Sequence, residues 1–278
     1  MKCNVRDISI NYKIIGEGKP IVMIHGYAAD HRLMSACMET VFNINSNYKR
    51  IYIDLPGMGN SKGAEWLNCA DIMLDVIIEF INKILPNENF LLVGQSYGGY
   101  ISRGIVYKMA HRVDGLLLIC PCIIADRKKR NIPEKIILVK NEELLSKVEE
   151  SDVERFNSAL VIQDENTFER YRDEVLSGIK KEDISFLRNY RKNGYSFSFD
   201  VDKLEKKFNK PMLMTLEKQD SGVGYKDAWD ILGNFPRATF AVLDRAGHNL
   251  QIEQNEVFNC LVNEWLRRVE DDIKRKVD

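Results

Sequence analysis

No apolar run in this sequence approaches the roughly 20 residues that a membrane-spanning helix needs, so no membrane partner is expected. Charge of one sign does not accumulate either. Lysine and arginine number 40 against 41 aspartates and glutamates, a formal charge of −1, which removes the electrostatic ground for expecting a nucleic-acid partner. The six cysteines, at 3, 37, 69, 120, 122 and 260, include no C-x-x-C pair. Cys120 and Cys122 bracket Pro121, but no histidine or second cysteine pair stands nearby to complete a zinc site, so no metal is expected. Reduced thiols in a cytoplasmic protein are the expectation. Met1-Lys2-Cys3-Asn4-Val5-Arg6-Asp7 is interrupted by polar residues before an apolar region can form, so a signal peptide is not expected. Internal repeats and low-complexity tracts are lacking, and disorder is expected only in the last few residues.

What is present is a chain of 278 residues, 45% hydrophobic, enough for one substantial core. Its first half alternates two patterns. Ile8 to Ile15, Ile21 to Ile24, Arg50 to Asp54, Phe90 to Val93 and Gly115 to Ile119 are short apolar or alternating runs that end at turn signals, as strands do. Between Trp66 and Leu85, the residues Ala70, Leu74, Ile77, Ile81 and Ile84 recur at helical spacing, and Tyr100 to His111 reads as a second helix. Strand and helix in alternation predict a parallel sheet covered on both faces. From Asp126 to about Asn209 the alternation stops and the chain reads as charged helices. Pro133 is expected to open one of them and Ser151-Asp152-Val153-Glu154 to cap another, followed by Phe156 and Leu160. Strands resume at Met212 to Met214 and Thr239 to Leu243, before a last helix from about Glu256 to Val269.

One pattern carries chemistry. Gly94-Gln95-Ser96-Tyr97-Gly98 fits G-x-S-x-G where a strand gives way to a helix. A sharp turn there strains the serine, exposes its hydroxyl and requires small residues two before and two after it. The helix N-terminus adds free N–H groups and a positive dipole end. A serine hydroxyl is a weak nucleophile and needs a base. Of four histidines, His25 and His31 follow an early strand and His111 ends a helix, whereas His248 lies in a loop beyond the last predicted strand and is the candidate base. The carboxylate that orients it should follow another strand end. Asp220, after Met212 to Leu216, is the first candidate, Asp244 the second and Glu217 the third. Donors for an oxyanion are expected from the backbone N–H groups of Tyr97 and Tyr27.

With these residues in place the sequence resembles the α/β-hydrolase superfamily, in its cap-bearing branch. The resemblance rests on Ile24-His25-Gly26, on Asp54-Leu55-Pro56-Gly57-Met58-Gly59-Asn60-Ser61, on Gly94-Gln95-Ser96-Tyr97-Gly98-Gly99, on Asp220 with Gly224-Tyr225, and on Gly247-His248 with Glu253, in that order. The sequence departs from the family pattern in carrying Glu217-Lys218-Gln219 where glycine often precedes the acid, and Asn255 where proline often follows the glutamate. The resemblance implies an α/β fold with a mostly parallel sheet of about eight strands, flanked by helices. It places core in residues 1–122 and 210–278 and an inserted helical cap in 123–209. It implies a small-molecule substrate and no cofactor, with hydrolysis of a carboxylic ester through an acyl-enzyme as the leading activity. Ser96 excludes the relatives with an aspartate nucleophile, the haloalkane dehalogenases and epoxide hydrolases. Carbon–carbon cleavage of meta-cleavage-type diketones, and a ligand-binding or signalling role on the same fold, remain as rivals.

Overall fold

In a computed structural model, residues 1–42 and 47–275 are described; the last three residues of the expected 210–278 core segment, where disorder is expected, lie outside them. Eight strands form one sheet in the order β1-β2-β4-β3-β5-β6-β7-β8. They are β1 (Lys2–Val5), β2 (Ile8–Ile15), β3 (Lys19–Ile24), β4 (Tyr48–Ile53), β5 (Phe90–Gln95), β6 (Val113–Ile119), β7 (Met212–Glu217) and β8 (Ala238–Leu243). The first two and the β2–β4 pairing are antiparallel, and every later pairing is parallel. The central strands are buried residue after residue, as the unbroken apolar runs of β5 and β6 require when helices cover both faces.

Three helices belong to the first half: α1 (His31–Glu39), α2 (Ala70–Ile84) and α3 (Tyr97–Met109). In α2 the spaced residues Ala70, Leu74, Ile77 and Ile81 are all buried, as their periodicity predicts. Between β6 and β7 run α4 (Glu142–Leu145), α5 (Glu150–Ala159), α6 (Glu165–Tyr171), α7 (Ser177–Ile179) and α8 (Ile184–Asn193). The only strand-like pairing there, among the described residues, is a single bridge between Val139 and Ile162. The second half ends with α9 (Lys226–Asp230), α10 (Leu250–Glu253) and α11 (Asn255–Lys274).

Several local expectations are corrected. Pro133 opens no helix and lies in an irregular stretch. Ser151 is inside α5, whose N-cap Glu149 makes no side-chain cap, and the capping box belongs instead to Asp164 and Thr167 at α6. Residue type at the right spacing is not sufficient; the capping residue must itself be extended, as Asp164 is at φ −112° and ψ 177°, whereas Ser151 is already helical. The strand β1 and the helix α1 stand where no element is read from the sequence. The signal for α1 was Asp30, whose side chain caps the helix by accepting from the Arg32 N–H.

The helical segment is tied to the sheet domain by polar anchors and aromatic rings. The buried Arg103 of α3 donates from Nε to Asp202 at 2.9 Å and from Nη1 to the Cys122 carbonyl at 2.9 Å, so it grips both ends of the segment at once. The Tyr97 and Tyr190 hydroxyls meet at 2.5 Å, and the Phe197 N–H donates to the Tyr100 hydroxyl at 2.9 Å. Arg103→Ala is expected to destabilise the protein by about 3–5 kcal/mol, because it leaves Asp202 and buried carbonyls without their partner. Urea unfolding of the variant measures this, and a loss under about 1 kcal/mol would show the anchor to be dispensable.

Candidate active site

The parallel strands end in register, Gly94 pairing with Ile24 on one side and Leu118 on the other. Loops leaving β3, β5, β7 and β8 therefore meet at one edge, the carboxyl edge of the sheet, where open α/β sheets build their sites. Tyr27, Ser96, Asp220 and His248 each lie on one of those loops.

Ser96 is the single residue between β5 and α3, with φ 51° and ψ −115°, a region that residues other than glycine rarely enter. Its N–H donates to the Ile119 carbonyl at 2.9 Å, and its carbonyl accepts from the Cys122 N–H at 2.9 Å. The flanking glycines have no room to be anything larger. A Cβ on Gly94 would lie 2.3 Å from Ser102 Oγ, and one on Gly98 would lie 2.2 Å from the Ile24 carbonyl oxygen.

His248 joins two of the expected residues. Its Nε2 is 2.9 Å from Ser96 Oγ and its Nδ1 is 2.7 Å from Asp220 Oδ2. The Asp220 side chain is fully buried, and its other oxygen accepts from the N–H groups of Gly222 at 2.7 Å and Val223 at 3.1 Å. Burial alone would raise the pKa of Asp220. The neighbouring imidazole and the three hydrogen bonds outweigh burial and hold the carboxyl below its usual range. For His248 burial works downward, but the charge and hydrogen bond of Asp220 prevail and raise its pKa above the ordinary value.

The alternatives are placed elsewhere. Asp244 is exposed and accepts from Gln219 Nε2 at 2.6 Å. Glu217 is buried at the end of β7, and neither of its carboxyl oxygens makes a hydrogen bond of normal geometry. Burial, with the Asp220 charge nearby, pushes its pKa well above the usual carboxylate range. His25 is structural: its Nε2 accepts from the Leu55 N–H at 3.0 Å, so Nδ1 carries the proton and donates to the Gly26 carbonyl at 2.7 Å. His111 is exposed beyond α3.

The backbone N–H groups of Tyr27 and Tyr97 find no acceptor among the described residues, although the Tyr97 side chain is buried. Ser96, His248 and Tyr27 open into a cavity of about 420 Å³ whose far wall comes from the segment between β6 and β7. Among the aromatic residues of that segment, Phe156, Phe168, Tyr171, Phe186 and Tyr190 do not line it. Phe168 and Tyr171 pack on Phe156, and Phe186 stacks on Tyr190. Tyr195 reaches the cavity instead.

Two supporting side chains are not legible as such in the sequence. Gln95 Nε2 lies 3.2 Å from Cys120 Sγ and 3.4 Å from the His248 carbonyl. Glu253 accepts from the N–H groups of Val161 at 2.6 Å, Ile162 at 2.9 Å and Gly247 at 2.6 Å. Burial pushes its pKa up to about 7 against those three donors. As to metals, Asp30, His31 and Asp54 lie close enough together to share an ion. Their atoms are already engaged: Asp54 accepts from the N–H and Nδ1 of His31, from Asn11 and from the Asn60 N–H, and Asp30 pairs with Arg32. The cluster reads as a brace for the turn that runs from Asp54 to Ser61.

This sheet, with a strained serine at the carboxyl end of its central strand, defines an α/β hydrolase fold. Residues 19–254 match the family described as alpha/beta hydrolase fold, and the chain belongs to that family. The crystal structure of an alpha/beta superfamily hydrolase from Oenococcus oeni is similar at 29% identity and a TM-score of 0.87, covering 97% of this chain and 99% of that one. A thermophilic esterase from Thermogutta terrifontis shares the fold at 22% identity and a TM-score of 0.64, covering 94% of each chain. Among curated proteins, the chain is 27% identical over 152 residues to a pimeloyl-[acyl-carrier protein] methyl ester esterase of Shewanella woodyi, a stretch of 53% of this chain and 55% of that protein. The chain thus spans about half the length of the curated relatives it matches.

Glu217 yields a stability prediction whose sign follows from its raised pKa. The folded state holds this proton at pH values where the unfolded chain releases it. Its contribution is therefore fully present below the unfolded pKa, about 4.3, and is lost as pH rises toward the folded value. Glu217→Gln is expected to flatten the fall in melting temperature between pH 5 and pH 8. An unchanged slope would mean that Glu217 ionises in the fold.

Proposed function

We propose that the protein is a serine hydrolase acting on a small, partly apolar carboxylic ester, with Ser96 as nucleophile, His248 as general base and Asp220 as the orienting acid. Residues 123–209 act as a cap over the site, and 1–122 and 210–278 are the two parts of the core. The observation that carries this reading is the bridge made by His248, 2.9 Å from the hydroxyl of Ser96 and 2.7 Å from the carboxylate of Asp220. The strained backbone of Ser96 supports it, because it costs stability that a structural serine would not need.

The chemistry is acyl transfer to water. Ser96 Oγ bonds to the ester carbonyl carbon while its proton passes to His248 Nε2, and Asp220 stabilises the imidazolium. The carbonyl oxygen takes up the charge and accepts from the N–H groups of Tyr27 and Tyr97. The carbon–oxygen bond to the alcohol then breaks, and His248 returns the proton to that alcohol. Water attacks the acyl-enzyme, its proton again going to His248 and from there to Ser96 Oγ, and the acid leaves. Esters are favoured over diketones because the curated relative carries an ester activity in its name.

A fluorophosphonate is expected to add one phosphonyl group to the wild type and none to Ser96→Ala, read by intact mass. Ser96→Ala is also expected to lose at least about a thousandfold in kcat. An unlabelled, folded wild type, or near-normal turnover by the variant, would sink the proposal.

A pH profile tests the base separately. His248 accepts a proton only when neutral, and its pKa is raised, so kcat/KM is expected to fall as pH drops through a midpoint above the ordinary histidine value of about 6.5. Asp220→Asn removes the charge that raises it. The midpoint is then expected to move down, with a loss in kcat of about 10⁴-fold. A midpoint that stays in place would remove Asp220 from its role.

A further inference from the structure

The cavity in front of Ser96 is lined by four cationic side chains, Arg127, Arg130, Lys135 and Arg191, and by no aspartate or glutamate. Three come from the stretch just after β6 and one from α8. None of the four forms an ion pair among the described residues. Of the acids nearest in sequence, Asp126 stands 3.9 Å from Lys129 and accepts from the Lys128 N–H, and the exposed Glu134, beside Lys135, forms no ion pair among the described residues.

Arg130 is held by neutral groups. Its Nε donates to the Ile124 carbonyl at 2.7 Å, Nη1 to the Gly222 carbonyl at 2.8 Å and Nη2 to the Ala125 carbonyl at 3.0 Å. Carbonyl oxygens fix a guanidinium in place without cancelling its charge. Arg191 is similarly positioned, lying over the rings of Tyr27 at 5.4 Å and Tyr195 at 5.8 Å. An adjoining cavity of about 370 Å³ is lined by Arg127, Arg130, Arg191 and Lys192 against the one acid Asp126, so the excess of positive charge extends outward from the site.

A run such as Lys128-Lys129 on a solvated face needs no further account, and those two lysines lie outside the cavity, whereas Arg127, Lys135 and Arg191, also exposed, line it with the half-buried Arg130. Four cations converging on one concave surface are different. Their summed positive field falls on the space that the substrate must occupy, with no acid lining that space to offset it. That arrangement is stabilised when the occupant brings the missing negative charge.

We infer that the substrate carries an anionic group, a carboxylate or a phosphate, a few bonds from the ester, and that the cations at 127, 130, 135 and 191 select for it. The inference rests on the serine hydrolase reading and adds the charge of the substrate to it. A cavity of about 420 Å³ holds both groups within one small molecule.

The test compares the monomethyl and dimethyl esters of one short dicarboxylic acid, together with an ester bearing a phosphate of similar reach. At low ionic strength kcat/KM is expected to be about tenfold or more higher for the charged esters, and the preference to shrink severalfold at roughly 0.5 M salt. In Arg127→Gln/Lys135→Gln the ratio of charged to neutral ester is expected to fall at least about threefold. Lys128→Gln, which lies outside the cavity, keeps the wild-type ratio. Arg130 is left in place because its donors hold the loop. An equal or reversed preference by an enzyme that turns over the neutral ester would overturn the inference and leave the hydrolase reading intact. Absence of the phosphonyl adduct would instead remove the hydrolase reading. Should neither ester turn over, calorimetric titration with the free dicarboxylate and with inorganic phosphate decides. Binding that the double variant loses supports the anion site, and no binding of either overturns it. The tighter of the two names the group.

Discussion

Ser96 is held in a backbone conformation that costs of order 1–3 kcal/mol, and the surrounding structure is arranged so that no relaxed alternative is open to it. The turn has one residue in which to change from strand to helix. Gly98 packs against the carbonyl end of β3, and Gly94 packs against α3. The hydrogen bonds from Ser96 N–H to Ile119 and from Cys122 N–H to Ser96 then lock the turn to the end of β6. Relaxing the serine would therefore mean separating the three central strands where they are most buried. The sheet's packing meets the strain, and the site inherits the sheet's rigidity.

Around that fixed point the charges are sorted by depth. Asp220, Glu217 and Glu253 lie on the inner side, close enough that the charge of Asp220 raises the pKa of both glutamates. Arg127, Arg130, Lys135 and Arg191 lie at the cavity. His248 sits between the two sets, and its pKa reflects both: Asp220 and Glu253 raise it, while Arg130 lowers it. Of the three acids only Asp220, with hydrogen bonds from His248, Gly222 and Val223, is held below its usual range, whereas Glu217 and Glu253 are raised. The charge pattern thus sets acids beneath the imidazole, of which Asp220 ionises most readily, against an excess of positive charge at the cavity.

The parts of this arrangement that could be read from the sequence are those with a strict local requirement. Both-face burial keeps Phe90–Val93 of β5 and Leu116–Ile119 of β6 apolar, and the strand-to-helix turn permits little but glycine at 94 and 98, so each left a pattern. Asp220 ranks first from its place after a strand, ahead of Asp244 and Glu217, and it is the one of the three whose carboxylate meets His248. What could not be read depends on distance in space. Nothing near Arg130 in sequence says that its guanidinium meets the Gly222 carbonyl, nor does anything near Lys128 say that it faces away. In the helical segment, residue types suited to caps recur often, and tertiary packing decides which of them is used. Hence Asp164 caps a helix and Ser151 does not.

The hydrogen bonds of Glu253 join the N–H groups of Val161 and Ile162, in the segment above the site, to the N–H of Gly247 in the loop that carries His248. The His248 N–H also donates to the Ala159 carbonyl at 2.8 Å. The imidazole is therefore mounted on the roof as well as on the floor. Lifting residues 159–162 outward strips acceptors and donors from the His248 loop in the same movement. The position of residues 159–162 and the aim of the imidazole are therefore linked through the Glu253 carboxylate and the Ala159 carbonyl.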